Sequence, residues 1–248
     1  MKNLIYILSL VFFFACDSEN AGDCFQKTGA IIQQEFTVEA FTKILVNRDI
    51  ELIVKQGTEQ KVVVETGENL INDVEAVVDN GQLILTDNNT CNYVRDYGVT
   101  KVLITSPNIT EIRSSTQYDI SSDGVLTYPS LTLLSESFNA PDSFTSANFK
   151  LQVNNNTLRA VFNNASNCYI SGGTNNLDLT FASGTSRFEG ENLIAQNVTI
   201  WNRSSNDMIV NPQQSIKGKI SGVGDVIAVT KPDIIDVIEE YKGRLIFK

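Results

Sequence analysis

Residues 216–230 read IKGKISGVGDVIAVT, and three earlier segments of the chain share this layout. Each segment begins with an aliphatic residue, passes through a polar or glycine-rich turn, and ends in a second apolar run. The four segments begin 19, 21 and 18 residues apart, at Leu158, Leu177, Val198 and Ile216. A period of about 20 residues with two short strands per copy and no helix is typical of a β-solenoid. Consecutive copies are expected to stack about 4.8 Å apart around one column of apolar side chains.

Gly222 and Gly224 in this stretch also resemble a loop that cradles a phosphate. A dinucleotide-binding loop needs a third glycine and a following helix, whereas the run after Asp225 is strand-like. The equivalent positions of the other copies hold residues that favour tight turns, namely Asn164, Ser166, Ser183, Thr185, Ser204 and Asn206. The glycines are therefore interpreted as turn residues of the repeat.

A second apolar column is expected at the twelfth position of each copy, which holds Tyr169, Phe188, Ile209 and Ile227. Looser copies begin at Ile109 and Leu131. The end of the chain is interpreted as a closing strand, with a short helix after Pro232 as the alternative.

Residues 36–105 differ from this repeat in their sequence pattern. Short alternating runs such as FTKILVNRDIELIVKQG indicate strands, and Asp79-Asn80-Gly81 between two such runs is typical of a hairpin turn. The sequence predicts a block of antiparallel strands over 36–105, followed by the solenoid part of the same domain over 106–248.

The first residues, MKNLIYILSLVFFFAC, carry one lysine before an apolar run that is too short to span a bilayer. This layout is typical of a secretory signal peptide over residues 1–15. The small residue before Cys16 indicates a bacterial lipoprotein signal, in which Cys16 is acylated and begins the mature chain. Residues 16–35 would then form a lipidated tether. The alternative is an ordinary secretory signal in which the cysteine has no role.

Charge and composition exclude several classes of function. The chain has 19 basic and 29 acidic residues and a net charge of −10, which disfavours binding to nucleic acid. It has no histidine, so Ser-His-Asp and Cys-His catalysis and histidine zinc sites are excluded. No catalytic residue, cofactor or metal is predicted.

Three further cysteines follow Cys16, and an envelope location permits disulfides. Cys24 and Cys91 lie in polar, turn-rich contexts, whereas Cys168 lies in an apolar, strand-like run. We predict a Cys24–Cys91 disulfide and a free, buried Cys168. The alternative is three reduced cysteines that act as small apolar residues.

The polar turns hold the candidate ligand contacts. Asp207 and Asp225 share one position of adjacent copies, so their backbones would lie roughly 5 Å apart. Such a pair suits either the carboxylates of a glycosidase or oxygen ligands for Ca²⁺; the alternative is two solvated turn aspartates. Trp201 could offer a stacking surface for a glycan or could simply pack, and Tyr93 and Tyr97 lie on a predicted loop.

Several stretches together resemble the Bacteroidetes-type lipoproteins that carry an auto-transporter adhesin head GIN domain. These stretches are FTKILVNRDIELIVKQG, VVVETGENL, DNGQLIL, ISGVGDVIAV with the later Pro232, and the final GRLIF. The resemblance implies a β-rich, right-handed β-helix-like fold and no established activity. The expected fold is therefore all-β, a right-handed parallel β-helix-like solenoid with coils of about 20 residues after an antiparallel block.

The expected function is that of an outer-membrane lipoprotein of the cell envelope, held by its lipid anchor. It would serve binding, adhesion or scaffolding without catalysis, with a glycan or another envelope protein as partner. The alternative is a β-helix protein that binds or degrades polysaccharide.

Overall fold

The computed structural model describes residues 23–89, 91–138 and 140–248, and the regular secondary structure of these residues is almost wholly β-strand. Two 3₁₀ helices, Asp23–Phe25 and Ile71–Asp73, accompany the strands. In chain order the strands are β1 Ile31–Phe36, β2 Lys43–Val46, β3 Glu51–Gln56, β4 Lys61–Gly67, β5 Val74–Asp79, β6 Gln82–Asp87, β7 Lys101–Ser106, β8 Glu111–Ser114, β9 Ile120–Leu126, β10 Ser130–Ser135, β11 Asn148–Phe162, β12 Asn167–Phe181, β13 Arg187–Asn202, β14 Met208–Ile220, β15 Val226–Ala228, β16 Ile234–Glu239 and β17 Leu245–Phe247.

All these strands hydrogen-bond into one sheet that contains two runs of neighbours. The run called ladder one has the order β5-β6-β2-β8-β10-β11-β12-β13-β14-β16. The run called ladder two has the order β1-β4-β7-β3-β9-β11-β12-β13-β14-β15-β17. Each long strand from β11 to β14 lies with its first half in ladder two and its second half in ladder one. Both ladders bury alternate residues in one apolar cluster.

The repeat predicted from the sequence sets the register of ladder one. Leu158 pairs with Leu177, Leu177 with Val198, and Val198 with Ile216, all in parallel strands. Each of these side chains is almost fully buried. The predicted first column of the core is therefore confirmed, and Ile235 in the closing strand β16 continues it at the end of the stack. The alternative of a helix after Pro232 was wrong, because residues 234–239 are strand.

The second predicted column was correct at Phe188 and wrong by one residue in the other three copies. Cys168, Phe188, Met208 and Val226 pair with one another and point into the core, whereas Tyr169 pairs with Glu189 on the outer face. The cause is an additional residue in one turn: the chain takes seven steps from Phe181 to Phe188 but six from Phe162 to Cys168. Because side chains alternate along a strand, a shift of one residue exchanges the inner and outer columns.

The prediction of an antiparallel N-terminal block was correct for β4 and β5 but wrong for β2 and β3. β2 pairs in parallel with β6 and β8, and β3 pairs in parallel with β7 and β9. Among the described strands, the β5–β6, β1–β4 and β4–β7 pairs are antiparallel and all others are parallel. Alternating apolar and polar residues show that a strand has one buried face, but they are the same for parallel and antiparallel strands. The strands of 36–105 therefore continue the two ladders that the rest of the chain builds.

The predicted hairpin is confirmed. Asp79 pairs with Gln82 in the antiparallel β5–β6 pair, which leaves Asn80 and Gly81 as a two-residue loop. Both have positive φ, 49° and 76°, as a type I′ turn requires. This hairpin places β6 beside β2 and so begins ladder one.

Candidate functional site

The turns that lead from ladder one to ladder two lie above one another and are called the turn column, formed by residues 163–166, 182–186, 203–207, 221–225 and 240–244. Their backbones approach closely. A Cβ built on Gly224 would lie 2.0 Å from the carbonyl oxygen of Asn206, and one on Gly222 would lie 2.4 Å from that of Ser204. The glycines are therefore required by the stacking of the turns.

The backbone amides of these glycines are already engaged. The amide of Gly222 donates to the carbonyl of Asn202 at 3.0 Å, and that of Gly224 donates to the carbonyl of Ser204 at 3.2 Å. A phosphate-binding loop needs amides that point at the ligand. The interpretation of Gly222 and Gly224 as turn residues of the repeat agrees with this geometry.

Asp207 and Asp225 occupy the same turn position in adjacent coils, and each binds the next coil. Oδ1 of Asp207 accepts the backbone amide of Asp225 at 2.9 Å, and Oδ1 of Asp225 accepts that of Arg244 at 2.8 Å. Oδ2 of Asp207 lies 3.8 Å from Nη1 of Arg187. Both carboxylates thus hold consecutive turns in place, and their geometry is explained without a ligand.

No group of three or more Asp, Glu, Cys or His side chains that could hold a metal ion occurs in 23–89, 91–138 and 140–248. Glu136 is a buried acid, but its carboxylate accepts hydrogen bonds from Nη1 of Arg113 at 2.7 Å and from the amide of Phe138 at 2.8 Å. These contacts fasten the loop after β10 to the stack.

Trp201 lies half-buried on ladder one, and its indole faces a lysine. Nζ of Lys219 lies 5.1 Å from the ring centroid, within the range of a cation–π contact. The indole nitrogen is buried and has no hydrogen-bond partner. A ring that is covered in this way offers little surface for stacking a ligand.

A half-exposed tyrosine on ladder two forms a more open surface. Tyr169, with 43% of its surface exposed, lines a shallow cleft of about 330 Å³. The cleft is completed by Ile170, Ser171, Glu189, Glu191 and Asn192, and is called the Tyr169 cleft. An aromatic ring beside several hydrogen-bonding side chains on rigid strands can bind a small polar ligand. Sequence reasoning missed this cleft because it placed Tyr169 in the core. Cys168, the preceding residue, was also predicted to be buried, and two successive residues of a strand face opposite sides of the sheet. The predicted burial of Cys168 was therefore the signal that Tyr169 faces outward.

The charged side chains beside this cleft are mutually paired. Nε of Arg187 contacts Oε1 of Glu189, and this hydrogen bond, with the nearby carboxylates, raises the pKa of Arg187. Nζ of Lys150 binds Oδ2 of Asp119 at 2.5 Å, which raises the pKa of Lys150. Both cations stay charged over the physiological pH range.

Cys24 and Cys91 form a disulfide that joins the first described residues to the loop between β6 and β7, with their Cα atoms 4.4 Å apart. Cys168 is free and fully buried, and burial raises the pKa of its thiol. A buried protonated thiol is a poor nucleophile, so Cys168 serves packing. Cys16, the predicted site of lipidation, lies outside the described residues.

Four large, exposed apolar side chains lie in the two segments that the disulfide joins. Phe25, Tyr93, Val94 and Tyr97 are 56%, 74%, 53% and 75% exposed and are called the aromatic cluster. The rings of Phe25 and Tyr93 lie 5.7 Å apart. The predicted position of Tyr93 and Tyr97 on a loop near Cys91 is confirmed.

Comparison with known proteins places the fold in a family. The family profile described as "Putative auto-transporter adhesin, head GIN domain" matches residues 40–232. The chain belongs to the head GIN domain family. A search of curated proteins found no significant match.

Solved structures share the head GIN fold at low sequence identity. A "putative adhesin" of Bacteroides fragilis NCTC 9343 is 19% identical and superposes with a TM-score of 0.78, over 90% of this chain and 99% of its own. A "putative adhesin" of Parabacteroides merdae ATCC 43184 is 15% identical with a TM-score of 0.56, over 89% and 98%. A "putative lipid binding protein" of Parabacteroides distasonis ATCC 8503 is 12% identical with a TM-score of 0.59, over 89% and 98%. These likenesses establish the fold of the chain.

The family suggests a protein of the cell envelope or surface and a role other than catalysis. Within the part of the chain that the structure describes, no helix has the length and apolar character needed to cross a membrane.

Proposed function

We propose that the protein is a lipid-anchored, non-catalytic binding module of the cell envelope, which presents the outer face of ladder two to a glycan. The observation that carries the proposal is the Tyr169 cleft, where a half-exposed ring adjoins carboxylate, amide and hydroxyl groups. Membership of an adhesin-like family supports a binding role.

The charge of the cleft favours one class of glycan. Glu191 lines it together with Glu189, which is paired with Arg187, and the whole chain carries a net charge of −10. Carboxylates accept hydrogen bonds from sugar hydroxyls, whereas they repel uronate and sialate groups. The proposed ligand is therefore a neutral glycan, and another envelope protein is the remaining kind of partner.

A glycan array with the purified chain tests the binding proposal. The wild-type protein should bind neutral glycans, and Tyr169→Ala and Glu191→Gln should weaken that binding. Trp201→Phe is the matched control, because its ring is covered by Lys219 and lies on the other ladder. Loss of binding in the control with retention in Tyr169→Ala would contradict the assignment of the cleft.

The same array separates binding from degradation. Asp207 and Asp225 accept backbone amides of the next coil, which supports a structural role for the acid pair. Bound glycans should therefore be recovered intact. Turnover abolished by Asp207→Asn or Asp225→Asn would instead establish a polysaccharide-degrading enzyme.

The anchor is proposed at Cys16 and the location at the outer membrane, on the basis of the lipoprotein-like leader. Globomycin, which blocks lipoprotein signal cleavage, should make the uncleaved precursor accumulate. Cys16→Ser should leave the membrane fraction, and retention of this variant at the level of wild type would refute the anchor.

The winding of the coils is proposed to be right-handed. Parallel strands joined by a crossover adopt the right-handed connection in about 98% of cases because of the strand twist. An experimental structure showing left-handed coils would refute this part of the proposal.

A further inference from the structure

The aromatic cluster exposes far more apolar surface than a turn-rich loop requires. Each of Phe25, Tyr93, Val94 and Tyr97 has more than half of its surface open to solvent. Scattered exposed apolar residues are ordinary, but four such side chains on two cross-linked segments, with the rings of Phe25 and Tyr93 5.7 Å apart, indicate an interaction surface.

The cluster is held in place by covalent and hydrogen bonds. The disulfide joins Cys24 to Cys91, and the amide of Tyr93 donates to the carbonyl of Cys24 at 2.9 Å. Nη2 of Arg95 donates to the carbonyl of Asn89 at 2.9 Å. Because these bonds fix the loop, the exposed rings are presented as a preformed surface.

The aromatic cluster lies close in sequence to the proposed lipid anchor, and this indicates which partner it contacts. The loop joins β6 to β7, and these strands lie near the N-terminal end of both ladders, beyond β2 and β3. Cys24 follows Cys16 by eight residues, which can span at most about 29 Å when fully extended. If Cys16 carries the anchor, as the proposed function states, the cluster cannot move far from the bilayer surface.

We propose that the aromatic cluster contacts the phospholipid headgroup region and orients the stack with its N-terminal end toward the membrane. Tyrosine and phenylalanine suit this region because the ring enters the apolar boundary while the phenol hydroxyl stays hydrated. The whole chain carries a net charge of −10. This charge favours zwitterionic over anionic headgroups.

The other end of the stack provides a control. Tyr241 is 56% exposed in the last turn of the turn column, between β16 and β17. The coil of β6 and β7 and the last coil of β16 and β17 are separated by eight strand spacings, or about 38 Å. A probe at residue 241 therefore samples a similar tyrosine position that the proposal places away from the bilayer.

Photo-crosslinking to lipid tests the inference on the protein produced with its own leader and placed in phosphatidylethanolamine vesicles. A benzophenone amino acid replaces Tyr93, Tyr97 or Tyr241 in turn. Lipid adducts are expected at 93 and 97 and at background level at 241. Background levels at 93 and 97, or equal adducts at all three positions, would overturn the inference.

Two further arms test the chemistry of the contact. With the probe at 97, Tyr93→Ser should lower the adduct yield, whereas Tyr241→Ser should leave it unchanged. Added anionic lipid should lower the yield, and an increase would contradict the predicted preference for zwitterionic headgroups.

The mass of the Cys16 peptide from the same samples separates this inference from the proposed anchor. An acylated Cys16 without adducts at 93 and 97 overturns the membrane contact alone. An unmodified Cys16 overturns the anchor and, with it, the inference that rests on it.

Discussion

Gly224 lies where two turns of the turn column approach too closely for a side chain. Its φ is outside the left-handed region, so the backbone conformation alone would tolerate serine. The added Cβ, however, would lie 2.0 Å from the carbonyl oxygen of Asn206. We expect Gly224→Ser to lower the free energy of unfolding by about 1–3 kcal/mol, measured by urea denaturation, because the turns must separate. A neutral effect would mean that the turns are spaced more widely.

Ile200 and Asn206 lie on the same coil but differ in burial. Ile200 is 2% exposed in the core, so Ile200→Ala should cost about 2–5 kcal/mol. Asn206→Ser loses a hydrogen bond from Nδ2 to the carbonyl of Thr185 and should cost about 1 kcal/mol. Chemical denaturation of the two variants measures the difference, and equal losses would contradict the register of ladder one.

Cys168 makes stability depend on pH in the alkaline range. Burial raises the pKa of its thiol above the ordinary value of 9.0, and burial raises the pKa of Tyr128 to about 12. The unfolded chain therefore releases these protons at a lower pH than the folded protein does. The free energy of unfolding should be unaffected by the thiol at pH 7 and should fall as pH rises above 9.

Cys168→Ala should make this decline begin later, near the ordinary pKa of Tyr128 at 10.0. Urea titrations of both proteins at pH 7, 9 and 10 measure it. An identical decline in the wild type and the variant would show that the thiol is accessible to solvent.

Aspartate side chains in the turn column stabilise the stacking of consecutive turns. Asp207→Ala removes the acceptor of the Asp225 amide and should cost about 1–2 kcal/mol, whereas Asp207→Asn keeps a carbonyl oxygen and should cost less than about 0.5 kcal/mol. Asp178→Ala is the control, because Asp178 forms only an exposed ion pair with Arg159 at 3.5 Å. Thermal denaturation reports all three variants. Equal losses for Ala and Asn at 207 would contradict the hydrogen-bonded role.

At the scale of the whole molecule, the disulfide joins the first described residues to the loop between β6 and β7. A non-reduced digest should yield the Cys24 and Cys91 peptides as one linked species, identified by mass spectrometry. The bond spans 67 residues, so reduction should lower the free energy of unfolding by up to about 4 kcal/mol in the chain-entropy model. Cys168→Ser should leave the linked species unchanged. Two free thiols in the digest would contradict the pairing.

Strand content and the register of one ladder could be predicted because they are local properties. An aliphatic residue recurs at Leu158, Leu177, Val198 and Ile216, and the structure pairs these residues in that order. The second column could not be predicted in the same way, since the turn before Phe188 is one residue longer than the other turns and no single position of the repeat fits all four copies. Tyr169 was therefore assigned to the core, and the cleft that it lines was missed.

The sequence by itself determined the all-β class, the period of the repeat, the hairpin at Asn80-Gly81 and the absence of histidine chemistry. These follow from composition and from spacing along the chain. Tertiary structure alone decided the parallel pairing of β2 and β3 with strands on both sides, since alternation does not encode the direction of a neighbour. It also decided the roles of Asp225 and Gly224, because the contacts of both residues lie in other coils. Asp225 binds the amide of Arg244 in the following coil, and the carbonyl of Asn206 in the preceding coil leaves no room for a side chain at Gly224.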